Sequence, residues 1–174
     1  MVVPAKIEDA PKLSNLVNSA YRGETSRQGW TTEADLLDGT RTDANAIEYL
    51  LTRPGTTILK YMDKATILGC VELDRKGDQL YLGMLTVQPD LQRRGIGKEL
   101  LKAAEEEARK QKCASIFMTV ISIRHELIAW YVRHGYNDTG HRKPFKVPDS
   151  RWGIPKMKLE FAVLEKKLWP VIWA

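Results

Sequence analysis

The chain has 174 residues, 43% hydrophobic and 28% charged, which is near the roughly 150 residues typical of one domain and too apolar for a disordered chain. No apolar run reaches the roughly 18 residues that span a bilayer, and the N-terminus lacks the basic and apolar regions of a secretory signal, so a cytoplasmic protein without a membrane partner is expected. The formal net charge of +5 admits nucleic acid, an anionic membrane or a small anionic ligand, and position along the chain must decide among them.

Val2–Ile7 offers a short edge strand. Asp9 can cap a helix with Pro11 in its first turn and Leu13, Leu16, Val17 and Ala20 on one face. Residues Tyr21–Arg41 are rich in turn formers and predict a long loop with one helical turn around Glu33–Leu37, and ordered loops of that length are usually functional. A second helix from about Asp43 to Leu51 stops at Arg53-Pro54-Gly55. Three β-like runs follow, Thr56–Met62, Ala65–Leu73 and Gln79–Val87, whose short links predict an antiparallel meander. Cys70 and Cys113 sit in apolar stretches away from metal-ligand spacing, so buried thiols and no metal are expected.

The loop Gln88–Gly97 leads into a long helix Lys98–Lys112, a strand Ala114–Ile121, and a helix Ile123–His134 closed by Gly135 in the left-handed conformation. A strand, a helix and another strand make Gln79–Val87 and Ala114–Ile121 parallel. The last strand is expected around Met157–Leu164, fed by a rigid turn over Arg151–Pro155. The class is α/β (α+β): a mixed, mostly antiparallel sheet flanked by helices, in one domain over residues 1–168. The tail 169–174 is apolar and carries two Trp, so it must pack on its own domain or on a partner, and a homodimer is one expectation.

Gln92-Arg93-Arg94-Gly95-Ile96-Gly97 lies between a strand and a helix. There the first-turn N–H groups have no intrahelical partner and the helix dipole favours an anion. Gly95 and Gly97 admit a phosphate close to the main chain, and Arg93, Arg94 and Lys98 add charge. A tight turn with solvated arginines fits the same residues. Leu100 stands where the third glycine of G-x-G-x-x-G would fall and no G-K-[ST] is present, so the dinucleotide and P-loop patterns fit badly. The whole pattern, Val87, four residues, then Gln92 to Gly97 opening a helix with Leu100, Leu101 and Ala104, resembles the central motif of the GCN5-related N-acetyltransferases (GNAT family). The element order matches that family over most of the chain.

The resemblance implies parallel strands splayed around a coenzyme A cleft, with acetyl-CoA as co-substrate and no metal. It implies that Gln92, Arg93, Arg94, Gly95, Ile96, Gly97 and Lys98 wrap the pyrophosphate, mainly through main-chain N–H groups. Leu85, Thr86 and Val87 would pair with the pantetheine amides and supply an N–H to the thioester oxygen. The stretch Glu126–Tyr136 looks like the family helix ending in Tyr-x-x-x-Gly-[Phe/Tyr], which makes Tyr131 the general acid; the alternative is a core aromatic beside Leu127. Arg124 stands where the family often has an Asn that contacts pantetheine, and a coenzyme phosphate or solvent are its two expected partners.

The implied reaction is direct attack of an amine on the thioester through a tetrahedral intermediate. An ammonium of pKa ~10.4 cannot pass its proton to an ordinary carboxylate cheaply, since a gap of ~6 units is roughly 8 kcal/mol. A water relay or a carboxylate with a raised pKa lowers that demand. Glu72, in an apolar strand, is the candidate base; it also suits an outward-facing strand position, and Glu24 and Glu33 compete for the role. Tyr (~10) is a weaker acid than the leaving thiol (~8.5), so Tyr131 serves as a hydrogen-bond donor unless its pKa is lowered.

In the family, acceptor residues come from the first two helices and their loop, together with the C-terminal strands; here the loop offers Arg22, Glu24, Arg27, Trp30, Glu33 and Asp35. That mixture suits a small amino-acid-like amine acceptor, held by Glu24, Arg27, Trp30 and Glu33; a solvated loop anchored by Trp30 is the alternative. An acetyltransferase acting on a protein or peptide amine, and an acyl-CoA-binding module without catalysis, are the competing functions. Nucleic acid is not expected as a partner, because no helix-turn-helix, zinc or RNP-like pattern is present.

Overall fold

The computed structural model describes residues 1–147 and 149–168, so the apolar tail 169–174 lies outside the described residues. In chain order the elements are β1 (Val2–Pro4), α1 (Ala10–Tyr21), β2 (Leu37–Asp38), α2 (Ala44–Thr52), β3 (Thr56–Asp63), β4 (Thr66–Lys76), β5 (Gln79–Val87), α3 (Ile96–Lys110), β6 (Ser115–Ile121), α4 (His125–Arg133), β7 (Asn137–Pro144), β8 (Ile154–Pro155) and β9 (Glu160–Lys167). One sheet runs β1-β3-β4-β5-β6-β9-β7, and β2 pairs with β8 apart from it. Every pair is antiparallel except β5 with β6, as the intervening helix requires. The expected α+β class and meander are therefore present. No helix among the described residues is long and apolar enough to cross a membrane.

Three expectations change. Asp9 does not cap α1; its carboxylate takes the Lys6 N–H at 2.8 Å and Lys60 Nζ at 2.7 Å and closes a 3-10 turn over Ile7–Asp9. Asp43 does cap α2, accepting from Ala46 N–H at 2.7 Å. The helical turn expected around Glu33–Leu37 is present as a single turn leading into β2, Leu36 and Leu37 N–H donating to Glu33 O at 2.9 and 3.0 Å, and the long loop carries a further 3-10 turn at Glu24–Gln28. Strand β7 was not anticipated: all its residues are exposed, so no alternation marks it, and its Asn, Asp, Thr and Gly read as turn. It is an edge strand held by β9, which itself begins at Glu160 rather than near Met157.

Alternation along the strands sorts side chains onto two faces. Val71, Leu73, Leu80, Leu82, Ile116 and Met118 turn toward α3 and α4, where they pack on Leu100, Leu101 and Ala104. On the other face α1 and α2 bury Leu13, Val17 and Ile47 against Ile58, Cys70 and Met84. Both cysteines are free and buried. A third cluster, Leu37, Ile121 and Leu159 with Phe145 and Phe161, closes the far end and leaves a hollow over β5 and β6.

Two features of β5 position the site. Its ladder with β6 covers only Gln79–Tyr81 against Ser115–Phe117, after which the strands part. Its ladder with β4 jumps from Glu72↔Gly83 to Cys70↔Thr86, and Met84 adopts φ +53°. This is a bulge, which bends the strand and re-aims the residues after it.

Candidate active site

Thr86 pairs with Cys70 of β4, so its neighbours Leu85 and Val87 direct their main-chain groups the other way, into the gap between β5 and β6. Their carbonyls already have partners. The Tyr21 hydroxyl donates to Leu85 O, and Gln92 Nε2 donates to Val87 O at 3.0 Å. The N–H groups of Leu85 and Val87 are therefore what this edge offers a ligand. The Thr86 hydroxyl is buried and bonded to Met84 O at 2.9 Å.

The next segment makes an anion cradle. Arg93 (φ +70°) and Gly95 (φ +87°) are both left-handed, and the first bond of α3 runs from Glu99 N–H to Gly95 O at 3.1 Å. The N–H groups of Ile96, Gly97 and Lys98 thus have no helical partner. The Ile96 side chain is in the core, whereas Arg93, Arg94 and Lys98 are exposed and form no ion pair among the described residues. A cleft of ≈ 550 Å³ opens in front, bordered by Arg93, Gly95, Gly97 and Lys98 but not by Arg94. A Cβ at Gly97 would sit 3.5 Å from Trp130, ordinary packing, so the protein alone does not require glycine there. The opposite wall is aromatic, with the Trp130 ring centred 4.3 Å from that of His134 and 6.4 Å from that of Trp30, tilted in both pairs.

Gln92 borders the same cleft, and its side chain also ties the loop to the sheet. Its Oε1 accepts from Trp30 N–H at 2.8 Å, and its Nε2 donates to Thr31 Oγ1 at 2.8 Å as well as to Val87 O. The side chain is spent on clasping the α1–α2 loop to β5. Gly29 is part of this clasp, since a Cβ there would collide with the Gln92 amide.

A second hollow of ≈ 830 Å³ lies on the α1/α2 face, with Glu72, Tyr81 and Phe117 on its floor and Arg41, Arg53, Phe145 and Trp152 on its walls. The two hollows meet at Tyr21, Leu85, Leu127 and Tyr131, which border both. Tyr131 is buried, packs edge to face on Trp130 at 5.1 Å and Tyr136 at 5.8 Å, and its hydroxyl has no hydrogen-bond partner among the described residues. Burial pushes its pKa well above the ordinary phenol value, so it stays a protonated donor. Burial likewise pushes Tyr21 up to about 12.

Glu72 is not a solvated strand residue: its side chain is 12% exposed and lies 3.6 Å from Arg53. Burial pushes its carboxyl up; the positive charges of Arg41 and Arg53 oppose this without cancelling it. Of the four loop residues expected to hold the acceptor, Glu33 alone borders the second hollow. Glu33 is buried between Arg22 (3.2 Å) and Arg124 (3.6 Å), and Arg124 also donates to Thr31 O at 2.7 Å, so it meets neither a coenzyme phosphate nor open solvent. Glu24, with its side chain 89% exposed, pairs with Arg27, which also holds Asp35 at 2.9 Å; neither Glu24 nor Arg27 borders a hollow. Trp30 borders the first cleft rather than the second. Tyr21, Arg41, Trp130 and His134 were not anticipated. Only the i, i+4 spacing of Trp130 and His134 signals their pairing in advance.

The model of the acetyltransferase (GNAT) family matches residues 13–136, well over half of the chain. The chain belongs to the GNAT family. It is accordingly an N-acetyltransferase of the acyltransferase class EC 2.3.1, and acetyl-CoA is its family's acyl donor. The ribosomal-protein-S18-alanine N-acetyltransferase of Escherichia coli superposes with a TM-score of 0.73 at 14% identity, over 98% of this chain and 95% of that one. The ribosomal-protein-alanine N-acetyltransferase of Brucella melitensis gives 0.70 at 21%, over 97% and 99%. The PaiA N-acetyltransferase of Thermoplasma acidophilum, in complex with coenzyme A, gives 0.65 at 18%, over 96% and 98%. At these identities the likeness to this GNAT chain is one of fold. No curated protein sequence matches it.

Proposed function

We propose that this GNAT enzyme transfers an acetyl group from acetyl-CoA to the primary amine of a small amino-acid-like molecule, with the coenzyme in the cleft at Arg93–Lys98 and the acceptor in the hollow over Glu72. The observation that carries this reading is the meeting of the two hollows at Tyr131 and the open edge of β5. The coenzyme cleft suits a pyrophosphate: three free N–H groups at a helix start, two left-handed residues before them and cations at the rim. The N–H groups of Leu85 and Val87 suit the amides and carbonyl oxygen of an extended acyl arm.

Glu72 takes the proton of the acceptor ammonium, directly or through a water. Its raised carboxyl narrows the gap of ~6 units that an ordinary carboxylate faces. A main-chain N–H of Leu85–Val87 holds the carbonyl oxygen as it becomes negative while nitrogen attacks carbon. Tyr131 hydrogen-bonds the departing sulfur; its raised pKa rules out a standing tyrosinate at neutral pH and makes donation, rather than full proton transfer, its contribution. The aromatic closure of the acceptor hollow by Phe145, Phe161 and Trp152 favours a small acceptor over a folded one.

The test is a thiol-release assay with acetyl-CoA against amino acids, polyamines and peptides. Turnover with small amino-acid-like amines is expected. Turnover with peptides or proteins alone overturns the acceptor class, and acetyl-CoA binding without thiol release for any amine overturns catalysis.

A further inference from the structure

The loop between α1 and α2 carries three arginines, and two are spent. Arg22 holds Glu33 and the carbonyls of Gly39 and Thr40 at 3.5 and 3.1 Å, and Arg27 holds Glu24 and Asp35 out at the surface. Arg41 is different. Its main chain is pinned to the wall of the acceptor hollow by Asn18, which accepts from Arg41 N–H at 2.8 Å and Thr42 N–H at 3.1 Å and donates to Thr42 O at 3.0 Å. Its half-buried side chain borders the hollow, and among the described residues its guanidinium has neither an ion-pair nor a hydrogen-bond partner.

The other charges of the hollow confirm how unusual that is. Glu33 is shared by Arg22 and Arg124, Asp74 is held by Arg53 and Lys76 at 2.8 Å each, and Glu72 lies 3.6 Å from Arg53. Each carboxylate on the walls has an arginine within 4 Å, whereas among the described residues Arg41, Lys143 and Lys146 form no ion pair at that distance, Arg41 reaching Glu72 only through its field. The uncompensated charge is positive, with Arg41 inside and the two lysines at the exposed end of β7 and just beyond. A guanidinium withdrawn from water costs free energy unless an anion meets it, and its planar fork matches a carboxylate.

We infer that Arg41 receives the carboxylate of the acceptor, so that the substrates of this enzyme are amines that also carry an acid group. The inference rests on the acetyl-transfer reading and adds the group that selects the acceptor. Glu72 and Arg41 face the same hollow without touching, and an α-amino acid sets its ammonium toward the first and its carboxylate toward the second. Lys143 and Lys146 draw such anions to the rim.

The experiment compares kcat/KM for matched pairs, each L-amino acid against its carboxamide, in the full chain and in Arg41→Gln and Arg41→Lys, with coenzyme A binding by calorimetry as the check on folding. The acid is expected to be preferred at least about tenfold, as suits a charge-assisted hydrogen bond. That ratio should fall to about one in Arg41→Gln and recover in part in Arg41→Lys, with coenzyme affinity unchanged in both. An acid-to-amide ratio that survives in Arg41→Gln overturns the inference, as does equal turnover of carboxamides or polyamines by the unmodified enzyme. Calorimetric binding of the amino acids in the presence of coenzyme A reads Arg41 without turnover. Binding lost in Arg41→Gln, with no amine turned over by any form, sinks the transfer reading alone; binding retained sinks this one.

Discussion

The proposed coenzyme cleft and the proposed acceptor hollow are built from different material. In the first, the donors are main-chain groups of one continuous stretch, Leu85 to Lys98, faced by side chains of α4 and of the loop after α1. The second is side chains from many elements, set on the floor of a sheet whose strands arrive in the order β4, β5, β6, β9. A main-chain site has a local signature, because glycines and a helix start are needed at fixed spacing. A side-chain site can be rebuilt one residue at a time, and only the fold reveals its members.

The largest effect should come from the buried ion cluster at the wall of the acceptor hollow. Glu33→Ala leaves Arg22 and Arg124 buried without their carboxylate, and removing one partner of a buried ion pair costs about 3–5 kcal/mol. Denaturant unfolding should show that loss, with weaker acetyl-CoA binding as the Thr31 end of the clasp loosens. A loss below about 1 kcal/mol would mean that Gln92 alone ties the loop down. Next, Glu72→Gln should lower kcat about a hundredfold and leave acetyl-CoA affinity alone. The raised carboxyl gives the unmodified enzyme an acid limb above the ordinary glutamate value of ~4.3: activity appears as pH rises through the folded-state pKa, and Glu72→Gln should lack that limb. A limb that persists in the variant assigns the base elsewhere.

Tyr131→Phe removes one hydrogen bond to a developing anion, so kcat should drop about tenfold to a hundredfold with acetyl-CoA affinity again unchanged. If affinity falls with kcat, Tyr131 belongs to the coenzyme cleft rather than to its meeting point with the acceptor. The smallest effect belongs to the exposed rim. Arg93→Ala or Lys98→Ala should weaken acetyl-CoA binding only a few-fold at low salt and hardly at all near 1 M, since exposed charges are screened. A loss that persists at high salt would show the arginine to be an inner contact.

The same contrast explains what the sequence disclosed. The helices from Ala10 and Ala44, the meander and the β5–α3–β6 unit follow from apolar period and turn residues, and the cradle at Gly95 follows from spacing. Glu72 and Tyr131 do come to one place, one from a strand pattern and one from a helix ending at Gly135. Glu24 and Arg27 misled because charge in a loop says nothing of whether a partner has already claimed it. The clasp made by the Gln92 side chain was not legible, because a polar side chain in a ligand loop can also be spent on the protein. Arg41 carried no mark at all: its meaning lies in the partners that the neighbouring arginines have and it lacks. Strand β7 escaped for the opposite reason, since a fully exposed edge strand needs no apolar face.

Strand β9 has one further consequence. It lies between β6 and β7 and pairs with both, yet it comes after both in the chain. During synthesis β1 to β6 can assemble as they emerge, but β7 has no neighbour to join until residues 160–167 have left the ribosome. Until then the aromatic closure at Phe145 and Phe161 cannot form, so the proposed coenzyme half of the molecule can be in place while the proposed acceptor half is still unmade. A nascent chain halted before Glu160 should thus already recognise coenzyme A and discriminate nothing.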